Sequence, residues 1–360
     1  MRKKTIVVLF GGESSEHDVS INSASFIVST LNSGKYDVLP IAISKTGKWL
    51  SIKESIKLLE LNNSKRLMLL RKKLSDKTKV DVVFPIFHGL FGEDGTIQGM
   101  LDLIGVPYVG SGVMASAIGI NKSIQKRIFE NAGIQVIPWI SFSGNDWQRK
   151  RVKLIGESEK LNYPIFIKPN DLGSSIGITK AHNQKELIKG IDLALSYSEE
   201  VVIEQGIDAR EIECSILGNE DIKASVLGEI LPSREFYSYE AKYADNNSGL
   251  IIPAKLSKKV TEKIQATSIK AFKIISASGM ARVDFLINKK NSKIYLNEIN
   301  TIPGFTEISM YPKLWVASGA GYSELLDKLI SLAIDRSKKR KRGHAKKLFM
   351  LCDIYRKTFF

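Results

Sequence analysis

The run Thr5–Phe10, TIVVLF, is continuously β-branched, aliphatic and aromatic and stops at Gly11-Gly12. A strand with no polar face is buried on both sides, which is the condition of a strand inside a parallel sheet. A helix is expected from Ser20 to Leu31, capped near Asp18 or Ser20, then apolar runs at Val38–Ile43 and Val80–Phe87. This strand–helix–strand rhythm predicts a small doubly wound α/β domain. It is followed by the turn-rich exit Gly105-Val106-Pro107-Tyr108-Val109-Gly110-Ser111-Gly112.

The rest of the chain has a different rhythm. A helix is expected at Asn121–Ala132, extended chain at Val136–Ile140, and strands at Tyr163–Lys168, Ile178–Lys180 and Val201–Glu204, with an amphipathic helix at Lys185–Ser196. Strands then dominate at Glu213–Leu217, Lys223–Ile230 and Val283–Ile287, interrupted by the polar stretch Ser233–Ser248 and a helix at Ser257–Ala277. A long loop inside a compact domain is usually functional or disordered. A last helix is expected at Ser323–Ile334.

At 360 residues the chain suits two or three packed units rather than one core. Its net charge of +15 is a nucleic-acid signal only if it lies on the folded body. Residues 336–360 alone hold ten Lys or Arg and one Asp, which leaves +6 for everything before them. That excess suits a protein handling anionic phosphates and argues against nucleic acid as a partner. The basic segment reads as a solvated extension or, with its apolar stretch Leu348–Cys352, as a membrane-surface contact. Two distant cysteines allow neither a disulfide framework nor a zinc spacing, no run reaches the length of a membrane span, and a cytoplasmic enzyme is expected.

Four groups of residues carry chemistry. Lys168-Pro169-Asn170-Asp171-Leu172-Gly173-Ser174-Ser175-Ile176-Gly177 ends a strand in lysine and continues into a loop whose small residues let backbone N–H groups approach phosphate oxygens. A hairpin turn beside a surface lysine accounts for it equally well. Arg282 and Asp284 share one face of a strand, as do Glu298 and Asn300 on another. If those strands are neighbours, two carboxylates and an amide oxygen converge, a hard-oxygen set suited to Mg²⁺ held jointly with phosphates. A surface salt bridge on a hairpin is the other reading. Glu235–Tyr243, with three tyrosines and a lysine, has the composition of a water-excluding lid, or of a surface loop anchored by aromatics. Finally, Gly11–Ser20 and His88–Gly95 both follow strands and can meet at the carboxyl edge of the sheet, where open α/β domains bind ligands.

In this order the motifs resemble the D-alanine–D-alanine ligases, a family of ATP-grasp enzymes, over residues 4–335. The pieces that carry the resemblance are Ser15-Glu16-His17-Asp18-Val19-Ser20, His88-Gly89 with Gly92–Thr96, Gly110-Ser111-Gly112, Lys168-Pro169 with Gly173-Ser174-Ser175, Tyr239–Tyr243 and Asn297–Phe305.

The resemblance implies an α/β ATP-grasp fold of three subdomains: an N-terminal doubly wound parallel sheet, residues 1–120, and two α+β lobes clasping ATP, residues 121–212 and 213–335. The basic tail, 336–360, lies outside it. It implies ATP and D-alanine, two molecules of the latter, as ligands, with two Mg²⁺ ions or Mn²⁺ in their place, and a homodimer.

It also implies roles. Lys122 and Lys168 hold ATP phosphates, Glu204 reads the adenine amino group and Glu211 the ribose. Asp284, Glu298 and Asn300 ligate metal. Glu16 anchors the ammonium of the first D-alanine, near His88. Arg282 and the Gly304 N–H are oxyanion donors. Lys242 and Ser309 lie near the second substrate and the transferring phosphate. Glu16, Ser174 and Tyr243 form a hydrogen-bonded link that locks the lid. Joining D-alanine to D-serine or D-lactate is the alternative within the family, and a ligand-binding regulator without catalysis is the alternative outside it.

Overall fold

Strand β1, Lys4–Gly11, is the middle of a parallel three-stranded sheet, between β2, Tyr36–Ile43, and β3, Val82–Pro85. In the computed structural model, which describes residues 2–59, 79–231 and 249–359 and side-chain environments no further than residue 340, its residues alternate between two buried layers. Ile6, Val8 and Phe10 enter one core with helix α1, His17–Thr30, and the C-terminal helix. Val7 and Leu9 enter another with Ile97 and Leu101 of α3, Thr96–Ile104. A two-residue period with both phases apolar is what a sheet covered on both faces requires. Helix α2, Ile52–Leu58, opens with a capping box between Ser51 and Glu54. At Gly11, φ is +91° and an added Cβ would lie 2.2 Å from the Ile43 carbonyl oxygen, so only glycine lets β1 leave the sheet there.

Helix α1 is not capped by Asp18 or Ser20. Glu16 holds the cap position without a side-chain cap bond. Ser20 is occupied elsewhere: its hydroxyl donates to the Ile86 carbonyl at 2.5 Å and accepts from Gly11 N–H at 2.8 Å, stitching helix to sheet. Helices α4, Val113–Ile120, and α5, Lys122–Asn131, lead out of this domain.

The central lobe is an antiparallel sheet in the order β4-β7-β5-β6, namely Trp139–Ser143, Glu200–Gln205, Ile165–Pro169 and Thr179–Ala181. Helices α6, Gly144–Glu159, and α7, Gln184–Leu195, cover one face through Trp147, Leu154, Leu187 and Ile191. Ile165, Ile167, Val201 and Ile203 join them. The alternate positions, Lys168 and Glu204 among them, therefore fall on the other face.

The third unit is a five-stranded antiparallel sheet, β10-β9-β8-β11-β12, made of Gly249–Ile251, Lys223–Leu231, Ala209–Gly218, Gly279–Asn288 and Ile294–Asn300. One side packs against α5 and α8, Lys258–Ile274, around Phe129, Phe272, Val283 and Phe285. Helix α9, Met310–Ala317, lies on the other side, where Ser215 donates to the Tyr311 carbonyl at 3.2 Å.

The last helix, α10, runs Tyr322–Phe359 instead of ending at Ile334. The basic segment does not stop it because lysine and arginine are good helix formers and several find partners. Arg336 donates to the carbonyls of Tyr108 and Gly110 and lies 4.3 Å over the Tyr108 ring. Lys339 pairs with Glu220 at 2.5 Å and Arg340 with Asp102. Among the described residues no helix is long and apolar enough to cross a membrane.

Candidate active site

Asp284 on β11 faces Glu298 on β12, and Arg282 faces Asn300. These were the residues expected to converge only if their strands were neighbours, and they are. The register shifts between Asp284 and Phe285, so Glu298 pairs with Asp284 while Leu296 pairs with Phe285. Such a bulge re-aims side chains locally. Phe285 and Val283 stay in the core, which leaves the charged residues on the opposite face.

Arg282 is held as a fork. Its Nε and Nη2 donate to the two Asp284 oxygens at 2.8 and 2.7 Å, and Nε lies 3.0 Å from Glu213. Burial opposes the guanidinium charge, but Asp284 and Glu213 outweigh it and hold the proton more tightly than usual. Asn300 donates its amide to Asp284 at 3.1 Å, which turns the Asn300 oxygen free of that contact.

The acidic pair meets the N-terminal domain. Glu16 sits at the start of α1 and accepts a hydrogen bond from Ser174 of the glycine-serine loop. That loop carries two non-glycine residues at positive φ, Ser174 at 50° and Ser175 at 62°. A backbone in that region is uncommon and is held by its surroundings. Glu93, within Gly92-Glu93-Asp94-Gly95, joins Glu16 here without a local pattern that marks it. It accepts from Gly89 N–H at 2.7 Å. Burial, then the charge of Glu16, pushes its carboxyl well above the usual range, with Glu298 adding to this and Gly89 and Arg282 opposing.

Burial lowers His88 to about 4, and nearby Arg282 reinforces this, so the ring is neutral near pH 7. Its Nε2 is 3.4 Å from Ser23, whose hydroxyl also receives Phe305 N–H at 3.4 Å. Gly304 lies beside Ser309: a Cβ on Gly304 would stand 3.1 Å from the Ser309 hydroxyl, which itself accepts from Thr306 N–H at 2.9 Å.

The lysines approach from the central lobe and α5. Lys168 Nζ donates to Glu204 at 2.7 Å. Burial disfavours its charge, yet Glu204, Glu298 and Glu211 together raise its pKa. Lys122 donates to the Leu172 carbonyl, and burial lowers its pKa against the pull of Glu298, with Lys168 repelling. Glu204 is nearly sealed from solvent. Burial would raise its pKa, but Lys126 and Lys168 bring it down to about 2. Lys126, 2.9 Å from the other Glu204 oxygen, was not singled out in the sequence. Its signal was present as a lysine four residues after Lys122 on the same helix face. Glu211, on β8 opposite Leu286, completes the charged wall.

Glu298 is thus the common electrostatic neighbour of Lys122, Lys168, Arg282 and Glu93. Lys242 and Tyr243 lie outside the described residues. Among those described, no three His, Cys, Asp or Glu side chains gather as a self-sufficient metal site. Two opposed carboxylates and an amide oxygen fit Mg²⁺ because that ion keeps waters and takes phosphate oxygens to complete its shell.

This geometry has counterparts. The family models described as D-ala D-ala ligase N-terminus and D-ala D-ala ligase C-terminus match residues 5–111 and 128–331.

The chain belongs to the D-alanine–D-alanine ligase family.

A D-alanine–D-alanine ligase of Chloroherpeton thalassium is 45% identical over 362 residues, covering 95% of this chain and 99% of the relative. Among solved structures, the D-alanine-D-alanine ligase from Coxiella burnetii superposes with a TM-score of 0.82 at 36% identity, covering 99% of this chain and 100% of that one. The VanG D-Ala:D-Ser ligase from Enterococcus faecalis gives 0.78 at 34%, covering 92% and 100%. The α/β ATP-grasp architecture implied by the resemblance is the architecture of this D-alanine–D-alanine ligase family member. Its parallel sheet and two antiparallel lobes bring Glu16, Ser174, Lys168, Glu204, Arg282, Asp284, Glu298 and Asn300 to facing surfaces.

Proposed function

We propose that this chain joins two D-alanine molecules at the expense of ATP. The γ-phosphoryl group passes to the carboxylate of the first D-alanine, giving an acyl phosphate and ADP. The amine of the second D-alanine attacks the acyl carbon, phosphate leaves, and D-alanyl-D-alanine forms. The observation that carries this reading is the position of Glu298, at once opposite Asp284 and within electrostatic reach of Lys122 and Lys168. Carboxylates and lysines so arranged suit a metal-bound triphosphate far better than a structural ion-pair network.

Each residue then has a task. Lys122 and Lys168 offset phosphate charge, which is most of what phosphoryl transfer asks of a protein. Glu204 and Glu211 receive the adenine and ribose. Asp284, Glu298 and Asn300 hold two Mg²⁺ ions, or Mn²⁺, which neutralise the oxygens around the transferred group. Glu16 receives the first ammonium with neutral His88 beside its carboxylate, and Ser309 and Lys242 receive the second substrate. Arg282 and the Gly304 N–H face the developing oxyanion, where one donor is worth about 3–4 kcal/mol. Holding two small reactants together contributes about 7–11 kcal/mol. Ser174 and Tyr243, with Glu16, close the site against water, which would hydrolyse the acyl phosphate.

A homodimer in the cytoplasm completes the proposal. Exposed apolar residues on α3 and α4 support the dimer: Leu103 is 92% exposed, and Ile104, Val113 and Met114 are exposed as well. The test is a phosphate-release panel. ATP with D-alanine alone should give stoichiometric dipeptide and phosphate. Turnover that requires D-serine or D-lactate would assign the chain to the other branch, to which the likeness to the VanG enzyme points. No phosphate release under any condition would leave a binding protein.

A further inference from the structure

We propose that Lys126 is a positioning residue for nucleotide binding: from helix α5 it holds the Glu204 carboxylate, and Glu204 in turn aims Lys168 into the cleft. The inference rests on Lys168 being a phosphate-holding group.

The Lys126 side chain is 2% exposed and that of Glu204 4%. Lys126 Nζ lies 2.9 Å from one Glu204 oxygen while Lys168 Nζ lies 2.7 Å from the other. The two lysines come from different bodies. Phe129 of α5 is buried in the core of the C-terminal lobe, whereas Lys168 and Glu204 belong to the sheet of the central lobe. The polar side of α5 lies along that lobe: Ser123 N–H donates to Asn170 at 2.8 Å, the Ser123 hydroxyl to Glu200 at 3.1 Å, and Arg127 reaches Glu200 at 3.8 Å. Of the two cations on this side of α5, Arg127 is 60% exposed and Lys126 is buried, and Lys126 is the one that touches the lysine–carboxylate pair.

A buried ion pair is a poor device for stability alone, since apolar residues of the same volume often serve as well. Here a second cation has a specific use. Lys168 must serve both Glu204 and an incoming phosphate, and the two anions compete for it. With Lys126 on its other oxygen, Glu204 stays charged and fixed while Lys168 is shared. An ionised carboxylate has about four acceptor sites, so Glu204 can accept from Lys168, pair with the Lys126 charge and still have capacity for a ligand donor.

The experiment measures the affinity of full-length protein for Mg²⁺ and AMP-PNP, a non-hydrolysable ATP analogue, by calorimetry, from about pH 8 to about pH 5.5, with thermal melts alongside. Lys126→Met should weaken the analogue about tenfold or more, the scale of one charge-assisted contact, and the loss relative to wild type should grow as pH falls. The growth follows because burial raises Glu204 and only Lys168 on β5 opposes it directly, with Lys122 of α5 also acting on its charge and Glu298 and Glu211 acting on Lys168. A purely structural lysine would lower the melting temperature without that pH dependence, and this result would overturn the proposal.

Glu204→Gln provides the second arm. If Lys126 acts through Glu204, adding Lys126→Met to Glu204→Gln costs less than about twofold more in affinity. A fully additive loss would overturn it. Should Lys126→Met alone not fold, the doubly neutral variant compared with Glu204→Gln decides by the same criterion. Lys168→Met separates the two levels. If it leaves affinity unchanged, the reading of the cleft itself fails. If Lys168→Met weakens binding and Lys126→Met does not, only the role of Lys126 fails.

Discussion

The Ser174 hydroxyl donates a hydrogen bond to the Glu16 carboxylate, across 158 residues of sequence. It ties the glycine-serine loop of the central lobe to the N-cap of α1, so one bond joins the loop proposed to cover phosphate to the proposed anchor of the first substrate. Ser174→Ala should therefore uncouple the two. The expected outcome is a drop in dipeptide formation of about tenfold to a hundredfold with a larger share of ATP hydrolysed without product, while the melting temperature hardly moves. Parallel assays of phosphate and dipeptide check it; an unchanged ratio of the two would remove the loop from water exclusion.

Arg282 is forked on Asp284 and also touches Glu213. Arg282→Lys keeps the charge but loses the fork. Turnover should fall by about a hundredfold or more. Arg282→Ala should in addition destabilise the fold by about 3–5 kcal/mol, because the buried Glu213 and the partly buried Asp284 lose their cation. Urea denaturation beside steady-state kinetics separates the effects; full activity in the lysine variant would take Arg282 away from the oxyanion.

Glu298 stands opposite Asp284. Chelating divalent ions should abolish turnover reversibly. Glu298→Gln should raise the Mg²⁺ concentration needed for half-maximal rate by about tenfold or more, since a neutral amide holds the ion less strongly than a carboxylate. A Mg²⁺ titration reads this directly, and an unshifted midpoint would move the metal elsewhere.

His88 is buried neutral, with its pKa lowered to about 4. The unfolded chain takes up the proton near 6.5. Its contribution to stability is therefore full above about pH 6.5 and is lost as pH falls from there toward 4, by at most on the order of 3 kcal/mol. In His88→Gln that part of the pH slope should vanish. Denaturation midpoints at several pH values in this window supply the comparison; identical slopes would mean that the ring exchanges protons freely in the folded state.

Much of the fold could be read locally. The apolar run of β1 announces a doubly covered sheet because a strand's period is two and both phases are apolar. The same period put Arg282 with Asp284, and Glu298 with Asn300, on common faces before their strands were known to pair. Helix α6 leaves no clear periodic signal because Trp147, Leu154 and Ser158 are its buried residues in an otherwise charged segment. The full length of α10 is not legible locally, because a lysine-rich run looks solvated until Asp102, Glu220 and the carbonyls of Tyr108 and Gly110 are brought beside it.

By itself the sequence determined the kinds of residue available for phosphate, metal and amino acid, and which face of each strand they occupy, since those follow from chemistry and period. Tertiary structure alone decided which of them meet. Lys126 on Glu204 and Glu16 against Ser174 are contacts between separate units, and Glu93 comes beside Glu16 from 77 residues further along the chain. Charge and burial act through distance in space, and no local pattern records that distance.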